Sequence, residues 1–222
     1  MLKSAHISID DVTSVLQRLT TGAYESIYED QLFKHLRLLH QICGLKITLY
    51  VYAKNKDWSL AEIPDIYRSE FVAASDWLKL GFHGVSEEQN HDNVLPDFKE
   101  QYRFVIREIE RFAGDASVAQ ILRLHYWFYP IEYTTVMKEN GVKTILCKPD
   151  SKTTEIDGIP VWNTDIRIER DKHIARRIWQ NKRSNQPLVV FTHEWAMGRR
   201  NMLKLAIATF VIRLCGYNYI CE

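Results

Sequence analysis

The chain has 222 residues, 46% of them hydrophobic and 26% charged, which is the composition of a folded domain with a well-filled core and excludes a disordered or low-complexity chain. Its formal net charge of +1 provides no global attraction to nucleic acid or to an acidic membrane, so neither is an expected partner. Cys43, Cys147, Cys215 and Cys221 lack the C-x-x-C spacing of a structural zinc or redox site and read as buried or idle thiols. No basic segment followed by an apolar run opens the sequence, and the apolar stretch 205–212 is too short to span a bilayer. The expected location is therefore the cytoplasm.

The first predicted element is a short strand over 6–9 that ends in the pair Asp10-Asp11. Leu32, Phe33, Leu36, Leu39 and Ile42 fall at helical spacing and stop at Gly44, and a strand over 46–52 follows. A helix over 65–77 opens after Pro64, and a strand over 78–83 ends in Gly84. Phe98, Tyr102, Val105, Ile109 and Phe112 mark a strongly amphipathic helix closed by Gly114, before a strand-like run over 119–125. The second half repeats the rhythm, with a helix over 131–139, an Asn140-Gly141 stop and a strand over 142–147. Between Pro149 and Pro160 the dipeptide Asp157-Gly158 signals a hairpin, and the β-rich pattern continues to Ile168. A helix over 172–180, a strand over 188–192 and a long helix over 197–215 complete the chain.

Strand and helix alternate nearly throughout, which predicts an α/β fold with a mainly parallel sheet, open or closed into a barrel. No linker, composition break or repeat divides the sequence, so 1–222 is expected to be one domain. In such folds functional groups collect at the carboxyl ends of the strands. Here titratable residues stand at four of those ends: Asp10-Asp11, His83, His125 and His193-Glu194. A single strand-end histidine is usually structural, but four such positions converge on one rim. A carboxylate and two imidazoles suit a divalent ion such as zinc, with an open position for water of lowered pKa. A neighbouring carboxylate as base and a separate histidine as acid complete the inventory for metal-assisted hydrolysis.

Ser8-Ile9-Asp10-Asp11-Val12, Gly81-Phe82-His83-Gly84 and Phe191-Thr192-His193-Glu194 resemble, in order and over nearly the whole chain, the motifs of the polysaccharide deacetylase superfamily. The resemblance implies a distorted seven-stranded β/α barrel, mainly parallel, and an enzyme that removes an acyl, usually N-acetyl, group from a carbohydrate. It implies Asp10 as general base, Asp11 and His83 as ligands of a divalent metal, expected to be zinc, and His193 as general acid. Trp162-Asn163-Thr164-Asp165 is similar to the family's tryptophan and aspartate motif, which implies that Asp165 is linked to His193.

The sequence departs from the family where its second motif places two histidines four apart. Glu87 stands four after His83, and the next histidine is His91. The favoured third ligand is His125, because a strand end is better held than a loop. The segment around His125 stands where the family usually has an arginine and proline motif. Two other readings remain: a barrel that keeps the site only to bind carbohydrate or regulate, and a glycosidase using the carboxylates Asp10 and Glu194.

Tyr126, Trp127, Tyr129, Trp162 and Trp195 are candidates for a sugar-stacking platform, with Trp195 the strongest because it lies two residues after His193. His35 and His40 belong to the first long helix, and Arg176-Arg177 and Arg199-Arg200 read as surface pairs. No Walker loop, G-x-G-x-x-G or G-x-S-x-G occurs, which excludes the commonest nucleotide-binding and serine-hydrolase classes.

Overall fold

The structure, a computed structural model, describes residues 3–21, 24–88, 97–182 and 186–222. Its strands are β1 (Lys3–Val12), β2 (Ile47–Tyr52), β3 (Lys54–Asn55), β4 (Trp58–Ser59), β5 (Leu78–Gly84) and β6 (Ile121–Leu122), then β7 (Thr144–Cys147), β8 (Glu155–Ile156), β9 (Ile159–Asn163), β10 (Ile166–Arg167), β11 (Leu188–His193) and β12 (Tyr217–Ile220). The helices are α1 (Ser14–Thr20), α2 (Gln31–Cys43), α3 (Arg68–Ala74), α4 (Phe98–Ala113), α5 (Thr134–Glu139), α6 (Ile174–Asn181) and α7 (Arg199–Leu214).

β10, β11, β1, β2 and β5 pair in that order, all parallel, while β6, β7 and β9 form a second parallel set. The sets meet where the Ala119 N–H donates to the Leu80 carbonyl at 2.8 Å. They meet again where the chain crosses from β9, paired with β7, to β10, paired with β11. β9 and β10 thus act as one stave, and the result is the expected distorted seven-stranded barrel. β12 pairs with the first residues of β1, on the edge that β2 occupies further along.

Strand alternation divides the core in two. Ile7 and Ile9 of β1 belong to the large apolar layer under the helices, together with Phe98, Tyr102, Val105, Ile109 and Phe112 of α4. Tyr50, Ile121, Leu146 and Val189 form a separate buried cluster inside the barrel. The Tyr50 hydroxyl donates to the Ile121 carbonyl at 2.8 Å and fixes its ring across the interior.

The predicted order holds, with differences that have local causes. The strand expected over 119–125 is only Ile121–Leu122, and His125 opens a 3-10 turn, His125–Trp127, in which Tyr126 and Trp127 have φ of 56° and 54°. The helix expected over 131–139 begins as a 3-10 turn, Ile131–Tyr133. α1 and β12 carry too few residues for their periodicity to be read in the sequence. All four cysteines are free.

Gly81 of β5 is required by space, because a Cβ there would stand 2.9 Å from Tyr50 Cε1 and 3.2 Å from the Ala119 Cβ. Gly81→Ala is expected to lower stability by about 1–3 kcal/mol through overpacking against that ring. Urea denaturation measures it; an unchanged midpoint would show that the barrel interior has room to spare.

Candidate active site

Adjacent residues of a strand face opposite ways, yet Asp10 and Asp11 both line one cavity of about 300 Å³ at the carboxyl rim. A bulge in the β1–β2 pairing between Ile9 and Val12, with Asp11 in the left-handed region at φ 58°, resolves the conflict. Asp10 keeps the inward parity and is buried, and the bulge turns Asp11 into the same space. Aspartate tolerates this backbone region better than most residues.

Asp11 gathers partners from four elements. The Tyr52 hydroxyl donates to Oδ1 at 2.7 Å and the Trp195 indole N–H donates to Oδ2 at 2.9 Å. His83 Nε2 lies 3.1 Å from Oδ1 and His125 Nδ1 3.6 Å from it, with 3.3 Å between the two nitrogens. Asp11, His83 and His125 are the residues among those described that combine as a possible metal-binding group. Burial opposes ionisation of Asp11, but the hydrogen bond and charge of His83 and the Tyr52 hydroxyl outweigh it and hold the carboxyl well below its usual range.

The donor chemistry fits a cation. His83 Nδ1 lies 2.7 Å from the carbonyl oxygen of Arg123, which can only accept, so Nδ1 carries a proton and Nε2 is the nitrogen turned towards Asp11, where a cation would replace the proton it shares with the carboxylate. Donors at zinc–ligand distances of about 2.0–2.2 Å in a tetrahedron are roughly 3.3–3.6 Å apart, close to the three separations found here. These residues can hold a divalent metal.

Two further pairs, one buried and one half-buried, flank this triangle. Arg123 Nε lies 3.4 Å from Asp10 Oδ2, its guanidinium sits 4.5 Å from the Phe191 ring centre, and Nη1 donates to Thr164 Oγ1 at 3.0 Å. Ser8 Oγ donates to Asp10 Oδ1 at 3.0 Å. Burial pushes the Asp10 carboxyl up, against the opposing pull of Arg123. On the other side, His193 Nδ1 is 2.6 Å from Glu169 Oε1, and Arg167 closes on the same oxygen. His193 Nε2 is left towards the cavity, 3.8 Å from Asp11 Oδ2.

The resemblance implies a link between Asp165 and His193, but the partner of His193 is Glu169. Asp165 lies where β9 crosses to β10; its N–H donates to the Val189 carbonyl and its Oδ2 accepts from the Val189 N–H, both inside barrel closure. Glu169 carries no sequence signal, since it belongs to no motif and follows a two-residue strand. Arg123, two residues before His125, is the arginine that reaches Asp10. Glu194 accepts from the N–H groups of Thr13, Ser14 and Val15, so its carboxylate is committed to the start of α1. Glu87 lines the cavity without joining the metal-binding group, and His91 lies outside the described residues. Tyr126, Trp127 and Trp195 line the cavity. Tyr129 instead donates to the Leu146 carbonyl at 2.8 Å, and Trp162 packs against the barrel interior.

Burial alone would raise the Glu169 carboxyl, but the hydrogen bonds from His193 and Arg167 outweigh it and hold it at about 2 instead of 4.5. An acid whose pKa is depressed on folding stabilises above its unfolded pKa, and that contribution is lost as pH falls towards the folded one. Glu169→Gln is therefore expected to cost about 1–3 kcal/mol at neutral pH, with the gap to wild type closing as pH drops below about 4.5. Denaturation at a series of pH values reads this, and a gap independent of pH would remove the ion pair from the account.

No protein-family model and no curated protein matches the sequence. Solved structures do match. A family 4 carbohydrate esterase from Streptomyces lividans, in complex with acetate, has a TM-score of 0.58 at 14% identity, over 98% of this chain and 91% of that one. A 4-alpha-glucanotransferase from Thermococcus litoralis gives 0.65 at 14% identity over 100% of this chain and 40% of that one. A family 4 pseudoenzyme from Bacillus anthracis gives 0.55 at 11% identity over 98% and 63%. At such identities the likeness is one of fold: the chain has the distorted β/α barrel of the family 4 carbohydrate esterases, the polysaccharide deacetylases.

Proposed function

We propose that this chain is a divergent polysaccharide deacetylase, one barrel domain over 1–222 that hydrolyses an N-acetyl group from a carbohydrate using a divalent metal, zinc, held by Asp11, His83 and His125. The reading is carried by one observation: the Asp11–His83–His125 triangle shares a cavity with the buried Asp10–Arg123 pair and with His193 on Glu169.

A cation held there supplies a Lewis acid, which polarises the amide carbonyl and makes water a stronger acid. Asp10 takes the proton of the attacking water. Its burial raises its proton affinity, and the Arg123 guanidinium beside it pulls the other way. His193 delivers a proton from Nε2 to the leaving nitrogen. Glu169, ionised at neutral pH, fixes the ring through Nδ1 and stabilises its charged form. Tyr52 and Trp195 orient Asp11, and Tyr126 and Trp127 offer rings to the apolar faces of a sugar.

The glycosidase reading is weakened because Glu194, its second carboxylate, is bound to three backbone N–H groups. The binding-only reading rests on the altered second motif, and the proximity of His125 to Asp11 and His83 counts against it by supporting a three-ligand set.

Metal content and acetate release from N-acetylated oligosaccharides test the proposal. Wild type is expected to hold stoichiometric metal, and Asp11→Ala to lose metal and activity together. Asp10→Asn and His193→Ala are expected to keep the metal while losing turnover by a factor on the order of a hundred or more. Stoichiometric metal that survives Asp11→Ala would sink the ligand assignment. Saturable sugar binding without turnover, whichever first-row divalent ion is added, would establish the binding module, and full activity after exhaustive chelation would restore the glycosidase.

A further inference from the structure

The outer surface carries a second anomaly, independent of the catalytic reading. In α7 the core-facing residues are Leu205, Ala208, Thr209 and Ile212. Leu203, Ile207, Phe210 and Leu214 recur at intervals of four, three and four on the opposite side, an apolar ridge about 17 Å long directed at solvent. They are between 44% and 69% exposed. α7 packs against both α2 and α6, and His35 of α2 reaches the Met202 carbonyl at 3.2 Å. Leu38 and Ile42 of α2 and Trp179 of α6 are also exposed, so seven of the twelve large apolar side chains exposed among the described residues belong to these three helices.

Their charge is equally uneven. α2, α6 and α7 contain 13, 8 and 16 residues without one Asp or Glu, although about one residue in eight of the whole chain is acidic, 28 of 222. They carry eight lysines and arginines, of which only Arg177 has an ion-pair partner among the described residues, Asp171. The arginine pairs at 176–177 and 199–200 both lie here.

A solvated helix places polar residues opposite its core face, and a ridge of this size on a monomer's surface marks a contact. A second copy would bring like charges together across the contact, which disfavours self-association. Large aliphatic and aromatic side chains flanked by arginine and lysine, on helices that carry no acid of their own, are the pattern of a helix lying in a membrane interface. We propose that the α2–α6–α7 face docks peripherally on an anionic lipid surface, with Phe210 and its neighbours entering the headgroup boundary and the flanking cations meeting lipid phosphates.

Flotation of the full chain with vesicles of phosphatidylcholine alone, or containing phosphatidylglycerol, tests this, with light scattering in parallel. Binding is expected only to the anionic vesicles and is expected to weaken as salt is raised. Arg199→Gln with Arg200→Gln should reduce it roughly thirtyfold, as loss of two surface cations implies. Phe210→Ser with Ile207→Ser should reduce it at least tenfold or so, from lost apolar burial. These positions face solvent, so circular dichroism and melting are expected to stay unchanged. Absence of binding to anionic vesicles at low salt would overturn the proposal. So would binding indifferent to both pairs of substitutions, or a dimer that Phe210→Ser dissolves, which would make a second copy the occupant.

Discussion

Two neighbouring carboxylates can face one cavity only if the strand that carries them breaks its own alternation, and that break is the left-handed turn at Asp11. Without it Asp10 would face the barrel and Asp11 the helices, where Ile7 and Ile9 are buried. A non-glycine residue held at φ 58° costs on the order of 1–3 kcal/mol and persists only where its surroundings fix it. Here the surroundings are Tyr52 from β2, His83 from β5, His125 from the turn after β6 and Trp195 from the turn after β11. The strain and the convergence of donors are therefore two aspects of one arrangement: the bulge aims the carboxylate, and the partners retain the bulge.

The remaining charges at the rim are disposed so that three acids in one small space behave differently. Asp10 is the most deeply buried and is pushed up despite Arg123. Asp11 and Glu169 are each met by a histidine and are pushed down. A site that needs one group to take up protons and others to remain anionic is served by this separation. Each of these charges also has a partner from another stave, so the site ties the barrel together across its rim: β1 to the segment after β6 through Asp10 and Arg123, and β11 to the segment after β10 through His193 and Glu169. Removing one partner leaves the other charge buried alone, which ordinarily costs more than the pair contributes.

The exterior shows why a whole-chain charge is a poor guide to surfaces. A formal charge of +1 averages over 29 basic and 28 acidic residues, and says nothing about a layer in which three packed helices contain no acid. The expectation that no membrane is involved followed from that average. The segregation becomes visible only once α2, α6 and α7, far apart in sequence, are seen side by side.

Local pattern determined much of this protein. The alternation of elements, the amphipathic face of α4, the Gly44 and Gly114 helix ends and the Asp157-Gly158 hairpin are all interactions between residues close in sequence, and all are found. The strand-end positions of Asp10, Asp11, His83 and His193 were legible for the same reason. What the tertiary structure alone decided are the pairings across the barrel. Glu169, not Asp165, meets His193; Arg123 meets Asp10; and Glu194 is drawn away to cap α1, while His125, the third ligand favoured from the sequence, reaches Asp11 and His83 from a 3-10 turn instead of a strand end. Each depends on which staves become neighbours when β9 crosses to β10 and the barrel closes. That closure joins residues dozens of positions apart, and hydrophobic periodicity, which reports only a residue's own face, carries no information about them.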